Sequence, residues 1–278
     1  MGSEICIRDR VITKKEFQAL KNAQEDVTFC LEVDFGLRSI EAKRVKNKAF
    51  LDKGITVDLS QKVKDNFCYL LDNQRLIEIA FFDEDTNKYY KLVSTNDWPT
   101  IAIGSVPMHK LSSPKKDTEN KIGLIKPYGF VLDTCMGLGY TAILASKSCE
   151  KIITFEKDEN VFIIAQRNPL SQSAFEAKNI EIRRQDVYKG IKSLGDCCFD
   201  CIIHDPPTLR LAEELFSKDF YFQVFRILKK GGRLFHYTPL YKVKSGFDFP
   251  AKIKKNLQVT GFRKIEYSKK AGGLICQK

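Results

Sequence analysis

With 278 residues, 43% of them hydrophobic, the chain is long enough for one large domain or two modest ones with a proper core. No stretch is long and apolar enough to span a bilayer, the N-terminus lacks a signal peptide's apolar run, and Met1-Gly2 fails as a myristoylation start because Cys6 stands where Ser or Thr is required. The formal charge of +11 is uneven: residues 1–110 carry 17 Lys/Arg against 17 Asp/Glu, and residues 111–278 carry 29 against 18, an excess that suits a polyanion such as RNA as well as a solvated lysine-rich surface.

The nine cysteines (Cys6, Cys30, Cys68, Cys135, Cys149, Cys197, Cys198, Cys201 and Cys276) are odd in number and scattered, which reads as reduced thiols of a cytoplasmic protein. Cys197, Cys198 and Cys201 resemble half of a zinc site, but no second ligand pair follows at finger-like spacing, so no metal is expected. In chain order, Ile12–Asn22 reads as a helix and Thr28–Val33 as a strand, and Ser60–Leu71 is expected to be helical. Leu76–Phe82 and Tyr89–Ser94 flank a polar turn as a hairpin. Residues 1–111 are thus expected to form a small β-rich, mixed α/β domain that recognises substrate. Residues 112–128, which include Ser112-Ser113-Pro114, serve as a connecting segment.

Beyond the connection the pattern becomes regular. Strand-like Gly129–Thr134, Lys151–Glu156, Asn179–Arg184, Cys198–His204 and Arg233–Tyr237 alternate with helix-like Gly139–Ser148, Asn160–Gln166, Val187–Leu194, Leu211–Leu228 and Ala251–Val259. Repeated strand–helix units predict a doubly wound parallel sheet over 129–278. Lys264–Ser268 and Leu274–Cys276, joined by a glycine turn, add an antiparallel last strand.

Two places carry chemistry. The first is Asp133-Thr134-Cys135-Met136-Gly137-Leu138-Gly139, a glycine loop between strand and helix that also fits a dinucleotide fingerprint. Asp133 there would repel a pyrophosphate but tolerates the cationic amino-acid end of S-adenosylmethionine. Glu156 ends the second strand, where ribose hydroxyls can donate to it, and Asp186 with Val187 ends the third, where an adenine can lie. Each of these acids also reads as a helix cap. The second place is the apolar strand that runs into Asp205-Pro206-Pro207-Thr208. The prolines end the ladder in a rigid, extended turn at a strand's C-terminal end, where open α/β sheets bind ligands. The Asp205 carboxylate and the Pro206 carbonyl then converge as two acceptors suited to a planar NH2.

These segments resemble the class I S-adenosylmethionine (SAM)-dependent methyltransferases over the C-terminal three-fifths of the chain. That resemblance implies a seven-stranded Rossmann-like sheet with one antiparallel strand. More narrowly, His204-Asp205-Pro206-Pro207 with Gly231-Gly232-Arg233-Leu234-Phe235-His236-Tyr237-Thr238, and Val106-Pro107-Met108-His109-Lys110 before them, are similar to an archaeal group of predicted RNA methylases. The group includes an enzyme that makes N4,N4-dimethylcytidine in small-subunit ribosomal RNA. The implied cofactor is SAM, bound by Asp133, Cys135, Gly137, Gly139, Glu156, Asp186 and Val187. The implied catalytic turn is Asp205, Pro206 and Pro207, and the implied partner is RNA, ribosomal by this likeness.

Two departures stand out: Cys135 replaces the first loop glycine, and Thr208 stands where many amino-methyltransferases place a base-stacking aromatic. Stacking then falls to Phe216, Tyr221, His236 or Tyr237, with Thr208, His236, Tyr237, Lys242 and Lys244 expected to contact substrate. Lys252, Lys254, Lys255, Arg263 and Lys264 extend a phosphate-contacting track. Methylation of a protein Gln or Asn amide and a spermidine synthase-like aminopropyl transfer are the alternatives, with a nicotinamide-dependent oxidoreductase and an inert RNA-binding module behind them.

Overall fold

The computed structural model describes residues 10–72, 74–109, 113–238 and 248–278. The chain divides into two compact units, Met1–Lys115 with Asn160–Gln172, and Lys116–Glu159 with Ser173–Lys278.

The first unit is built of short antiparallel strands: β1 (Val11–Thr13), β2 (Thr28–Val33), β3 (Arg38–Val45), β4 (Lys48–Leu51), β5 (Thr56–Asp58), β6 (Cys68–Asp72), β7 (Arg75–Glu78), β8 (Ala80–Asp83), β9 (Lys88–Val93), β10 (Thr100–Ile103) and β11 (Val106–Pro107). They form a β2-β3-β4-β5 meander, a three-stranded β1-β6-β7 sheet and a β11-β10-β9-β8 sheet. Alternation drives the meander, with Leu31, Val33, Ile40, Ala42, Ala49, Leu51 and Val57 pointing inward onto Phe17 and Leu20 of helix α1 (Lys14–Asn22). Thr13 caps that helix reciprocally with Glu16. The hairpin read from the sequence is present as β8 and β9, paired from Ala80↔Lys91 to Asp83↔Lys88, but the strand expected over Leu76–Phe82 is divided, its first half being β7, which pairs with β6 in another sheet.

The helix expected over Ser60–Leu71 is absent. Ser60 donates to Asp58 in a turn, Asn66 takes a positive φ of 59°, and Cys68–Leu70 pair with Thr13–Val11 as strand. Helical spacing there had only Val63 as an apolar anchor before Phe67, so strand pairing prevailed over local propensity.

The second unit holds one seven-stranded sheet of β12 (Gly129–Asp133), β13 (Cys149–Phe155), β14 (Ile180–Arg183), β15 (Phe199–His204), β16 (Leu228–Tyr237), β17 (Arg263–Ser268) and β18 (Gly273–Gln277). Their order is β14-β13-β12-β15-β16-β18-β17; β18 is antiparallel to both its neighbours, and the β14-to-β16 pairings are parallel. The sheet is apolar on both faces, as a doubly covered parallel sheet must be. Leu132, Ile153, Ile202, Leu234 and Leu274 point to one side, onto α6 (Val187–Gly190), α7 (Lys218–Ile227) and α8 (Phe249–Thr260). Val131, Ile152, Cys201, Ile203 and Phe235 point to the other, onto α2 (Pro114–Ile125) and α3 (Tyr140–Ser146). Each fully buried leucine or isoleucine of these rows contributes about 2 kcal/mol of hydrophobic stabilisation. Strand β16 starts five residues earlier than its apolar run suggests. Gly231, at φ 78°, lets the chain bulge between Leu228, opposite Phe199, and Arg233, opposite Cys201.

Among the described residues, no helix is long and apolar enough to cross a membrane. Helix α4 (Glu159–Gln166) and the short α5 (Gln172–Glu176) complete the element list.

Candidate active site

Adjacent parallel strands β12 and β15 bring the two predicted motifs to one edge of the sheet. Asp133 ends β12 opposite Ile203, and Asp205 lies two residues further along the next chain segment. The Thr134 N–H continues the ladder to the Ile203 carbonyl at 3.0 Å, so the glycine loop and the proline turn leave the sheet side by side.

Asp133 is fully buried. Its Oδ2 accepts from the Thr154 hydroxyl at 2.8 Å and from the Thr141 hydroxyl at 3.3 Å. Its Oδ1 makes no hydrogen bond of good geometry. Burial, together with the nearby negative charge of Asp205, pushes its carboxyl up to about 7, against the two hydroxyls and the Cys135 N–H. The loop that follows turns on glycine. Gly137 (φ 53°) and Gly139 (φ 77°) are both left-handed, and a Cβ on Gly139 would stand 3.1 Å from that of Ala174. A Cβ on Gly137 would meet nothing within 4 Å, so that turn faces open space.

Glu156, just past β13, ties this loop down: Oε2 accepts from Gly137 N–H and Oε1 from Asp158 N–H, each at 2.9 Å. Burial pushes its carboxyl up to about 7 despite those bonds. Cys135 is half-buried against the core, with its thiol pushed well up by burial. Asp186 is the N-cap of α6, bonded to Tyr188 N–H at 2.8 Å, and its second oxygen lies 3.7 Å from Lys157, which also holds Glu214 at 2.9 Å. Val187 is buried in the core cluster beside Phe155.

On the other side, residues 205–208 leave the ladder without regular structure, and the Thr208 carbonyl then accepts from Leu211 N–H to begin the next turn. Pro206 is buried, while Asp205, Pro207 and Thr208 are half-buried. Asp205 does not stand alone. Its Oδ2 lies 2.5 Å from the ammonium of Lys121, which lies 2.6 Å from Asp117 Oδ2 and 5.1 Å from the centre of the Tyr237 ring. Burial works against the Lys121 charge, but Asp205 and Asp117 more than offset it and hold the ammonium above the usual lysine range.

The remaining predicted residues separate by depth. Phe216, Tyr221 and His236 are buried, leaving Tyr237, at the end of β16, as the half-buried aromatic of the four. His236 donates from Nδ1 to the Tyr237 carbonyl and accepts at Nε2 from the Tyr221 hydroxyl at 2.9 Å. His204 donates from Nε2 to the Leu215 carbonyl and accepts at Nδ1 from Thr134. Burial lowers both imidazoles, His236 to about 4, so both are neutral with both ring nitrogens bonded, and they pack edge to face at 4.6 Å.

Lys242 and Lys244 lie outside the described residues. Lys252, Lys254 and Lys255 are exposed on α8, and Arg263 and Lys264 on the edge strand β17. In the first unit, Met108 N–H donates to the Ile101 carbonyl and His109 bonds Thr100 at 2.8 Å. Among the described residues, no cluster of three or more His, Cys, Asp or Glu has a metal-holding arrangement.

Sequence reasoning missed Lys121, Asp117, Thr141 and Thr154. Lys121 had a signal: with Pro114, Thr118 and Ile125 it makes a buried row at helical spacing on α2, inside a segment read as a connection. The two threonines carry no motif of their own.

No protein-family model matches the chain. The fold is shared with a spermidine synthase in complex with the transition-state analogue AdoDATO (TM-score 0.58, 18% identity, 72% of each chain). It is shared as well with a spermidine synthase from Thermotoga maritima (TM-score 0.55, 18% identity, 73% of this chain and 75% of that one). MNMC2 from Aquifex aeolicus is similar too (TM-score 0.51, 18% identity, 72% of this chain and 73% of that one). The mostly parallel seven-stranded sheet with β-rich N-terminal sheets is therefore a fold shared with the spermidine synthases. In sequence, the uncharacterized protein MJ1233 of Methanocaldococcus jannaschii is 37% identical over 280 residues, covering 96% of this chain and 95% of that protein. At that identity and coverage, the chain belongs to the same family as MJ1233.

Proposed function

We propose that this protein is a SAM-dependent methyltransferase acting on an exocyclic amino group of a base in RNA. The substrate that the motif resemblance favours is cytidine N4 in small-subunit ribosomal RNA. The observation that carries the reading is the pairing, on adjacent strand ends, of a buried carboxylate with an unmatched oxygen and a rigid Asp-Pro-Pro turn with a half-buried carboxylate.

The residues present fit the cofactor. The unmatched Oδ1 of Asp133 suits the ammonium of an amino-acid moiety, and the open side of Gly137 admits a ligand against the backbone. Glu156 has lone pairs beyond its two backbone bonds for ribose hydroxyls. When bound, SAM supplies a methyl group already activated as a sulfonium. The protein's task is then to present a nucleophile.

An exocyclic base amine is a poor nucleophile because its lone pair is delocalised into the ring. Asp205 and the Pro206 carbonyl accept its two hydrogens, favour a pyramidal nitrogen and aim its lone pair. The gain comes from positioning and fixed electrostatics rather than from a strong base. His204 and His236 take no proton in this scheme, since their nitrogens are already committed. Tyr237 offers the base a stacking face, and the small Thr208 leaves room for an amine that already carries one methyl. A base within structured RNA reaches such a turn only when splayed out.

The shared fold raises aminopropyl transfer to a polyamine as the alternative. A net charge of +11 repels such a substrate, and the two acceptors of the Asp-Pro-Pro turn suit a planar NH2 better than an alkylammonium. Asp205→Ala is expected to lower methyl transfer at least about 100-fold while SAM still binds. Near-normal turnover in that variant, or aminopropyl transfer from decarboxylated SAM to putrescine by the wild type, sinks the assignment.

A further inference from the structure

Lysine is among the residues least often fully buried, and it is tolerated inside only when paired. Lys121 is 4% exposed, one helical turn from Asp117 and within contact of Asp205 across the unit. Its place on α2 is set by the buried row that includes Thr118 and Ile125, and from there the ammonium reaches Asp205 Oδ2 at 2.5 Å.

The groups that face Asp205 come from three elements besides its own. They are Asp117 and Lys121 from α2, Asp133 and Cys135 from β12 and its loop, and His236 from β16, with Tyr237 lying under the ammonium. Of these, Asp117 and Asp133 are carboxyls and His236 is neutral, which leaves Lys121 as the cation of the set. Without it, three carboxyl groups would crowd one partly dry site.

We propose that Lys121 is the positioning residue for the acceptor carboxylate: held between Asp117 and Asp205, it binds Asp205 Oδ2, fixes the carboxylate's rotation and turns Oδ1 toward the substrate amine. This rests on the reading of Asp205 as the amine acceptor. Asp117 holds the same ammonium at 2.6 Å, so the device needs all three side chains. Lys121 itself touches neither substrate nor cofactor in this scheme; it acts through Asp205.

The test uses the full-length protein, SAM and an unmodified small-subunit ribosomal RNA transcript, with single-turnover methyl transfer followed at pH 7 over a range of RNA concentrations. Lys121→Met is expected to slow the transfer step at saturating RNA about 100-fold. SAM and RNA affinities should each stay within about threefold, because the lysine acts through the carboxylate and touches neither ligand. Lys121→Arg should restore at least a tenth of the rate.

A Lys121→Met enzyme with the wild-type rate overturns the proposal. So does one whose loss falls on SAM or RNA affinity, or which arginine does not rescue, since that is the signature of a merely structural lysine. If Lys121→Met does not fold, Asp117→Asn decides: transfer slowed at least about tenfold with both affinities kept supports the proposal, and wild-type transfer overturns it. Absence of transfer by the wild type, with SAM bound, overturns the reading of the site itself and this proposal with it.

Discussion

Asp133 and Asp205 end neighbouring segments of one sheet edge, yet their surroundings differ. Asp205 has an ammonium against it, whereas Asp133 has two hydroxyls and one unmatched oxygen. Such asymmetry between two acids assigns them different work, and the roles proposed here follow it. The Asp133 carboxyl is pushed up from an ordinary 3.8 to about 7, so the native state keeps this proton longer than the unfolded chain does. Its contribution is most favourable below about pH 4, declines as pH rises toward about 7 and is flat above. Asp133→Asn should therefore gain stability over the wild type across that window, by up to about 2–4 kcal/mol, as read by denaturant unfolding at pH 4.5 and 7.5. A stability difference independent of pH contradicts the assignment. A cationic ligand reverses the preference, so wild-type affinity for SAM should rise through the same window in calorimetric titrations. Removing the Thr154 hydroxyl with Thr154→Val takes away the shorter of the Asp133 bonds and should cost about 1–3 kcal/mol in thermal or denaturant unfolding.

At the scale of elements, the loop from β12 to α3 depends on one glycine for packing and another for openness. Gly139→Ala must hold φ near 77° and bring a Cβ to 3.1 Å from Ala174, so it should destabilise the protein by about 1–2 kcal/mol and weaken SAM binding. A variant with unchanged melting temperature and affinity would show that the loop relaxes freely. The sequence exposed this edge of the sheet because its signals are local. Gly137, Gly139, Pro206 and Pro207 punctuate strands whose apolar runs are plain, and an acid sits at each punctuation. The antiparallel β18 was equally legible from the Ala271-Gly272-Gly273 turn before a short apolar run. What stayed hidden depends on contacts distant in sequence. Lys121 meets Asp205 across 84 residues, and a charged residue on a helix reads as solvent-facing until its partner is known. The Ser60–Leu71 segment failed for the same reason, since its fate was set by pairing with Val11–Thr13. The depth of His236 was missed because a strand residue near a site is assigned to its wall, whereas α7 covers this one through Tyr221.

For the whole molecule, the charge distribution is compatible with the RNA partner proposed for the site, as it is with a solvated lysine-rich surface. The entire excess of +11 lies in residues 111–278, and the exposed Lys252, Lys254, Lys255, Arg263 and Lys264 of α8 and β17 belong to that half. If these side chains contact phosphates, RNA affinity falls steeply with salt, and replacing Lys252, Lys254 and Lys255 with Gln should lower the slope of log affinity against log salt by about 2. A slope unchanged by the triple replacement removes that track from the RNA surface. The decisive assay incubates the protein with SAM and unmodified small-subunit ribosomal RNA, digests the RNA and identifies its nucleosides by mass spectrometry. New N4-methylcytidine or N4,N4-dimethylcytidine is expected, and neither should form with Asp205→Ala. If SAM binds, no nucleoside gains a methyl group, and decarboxylated SAM instead gives aminopropyl transfer to a diamine, the protein is not an RNA methyltransferase.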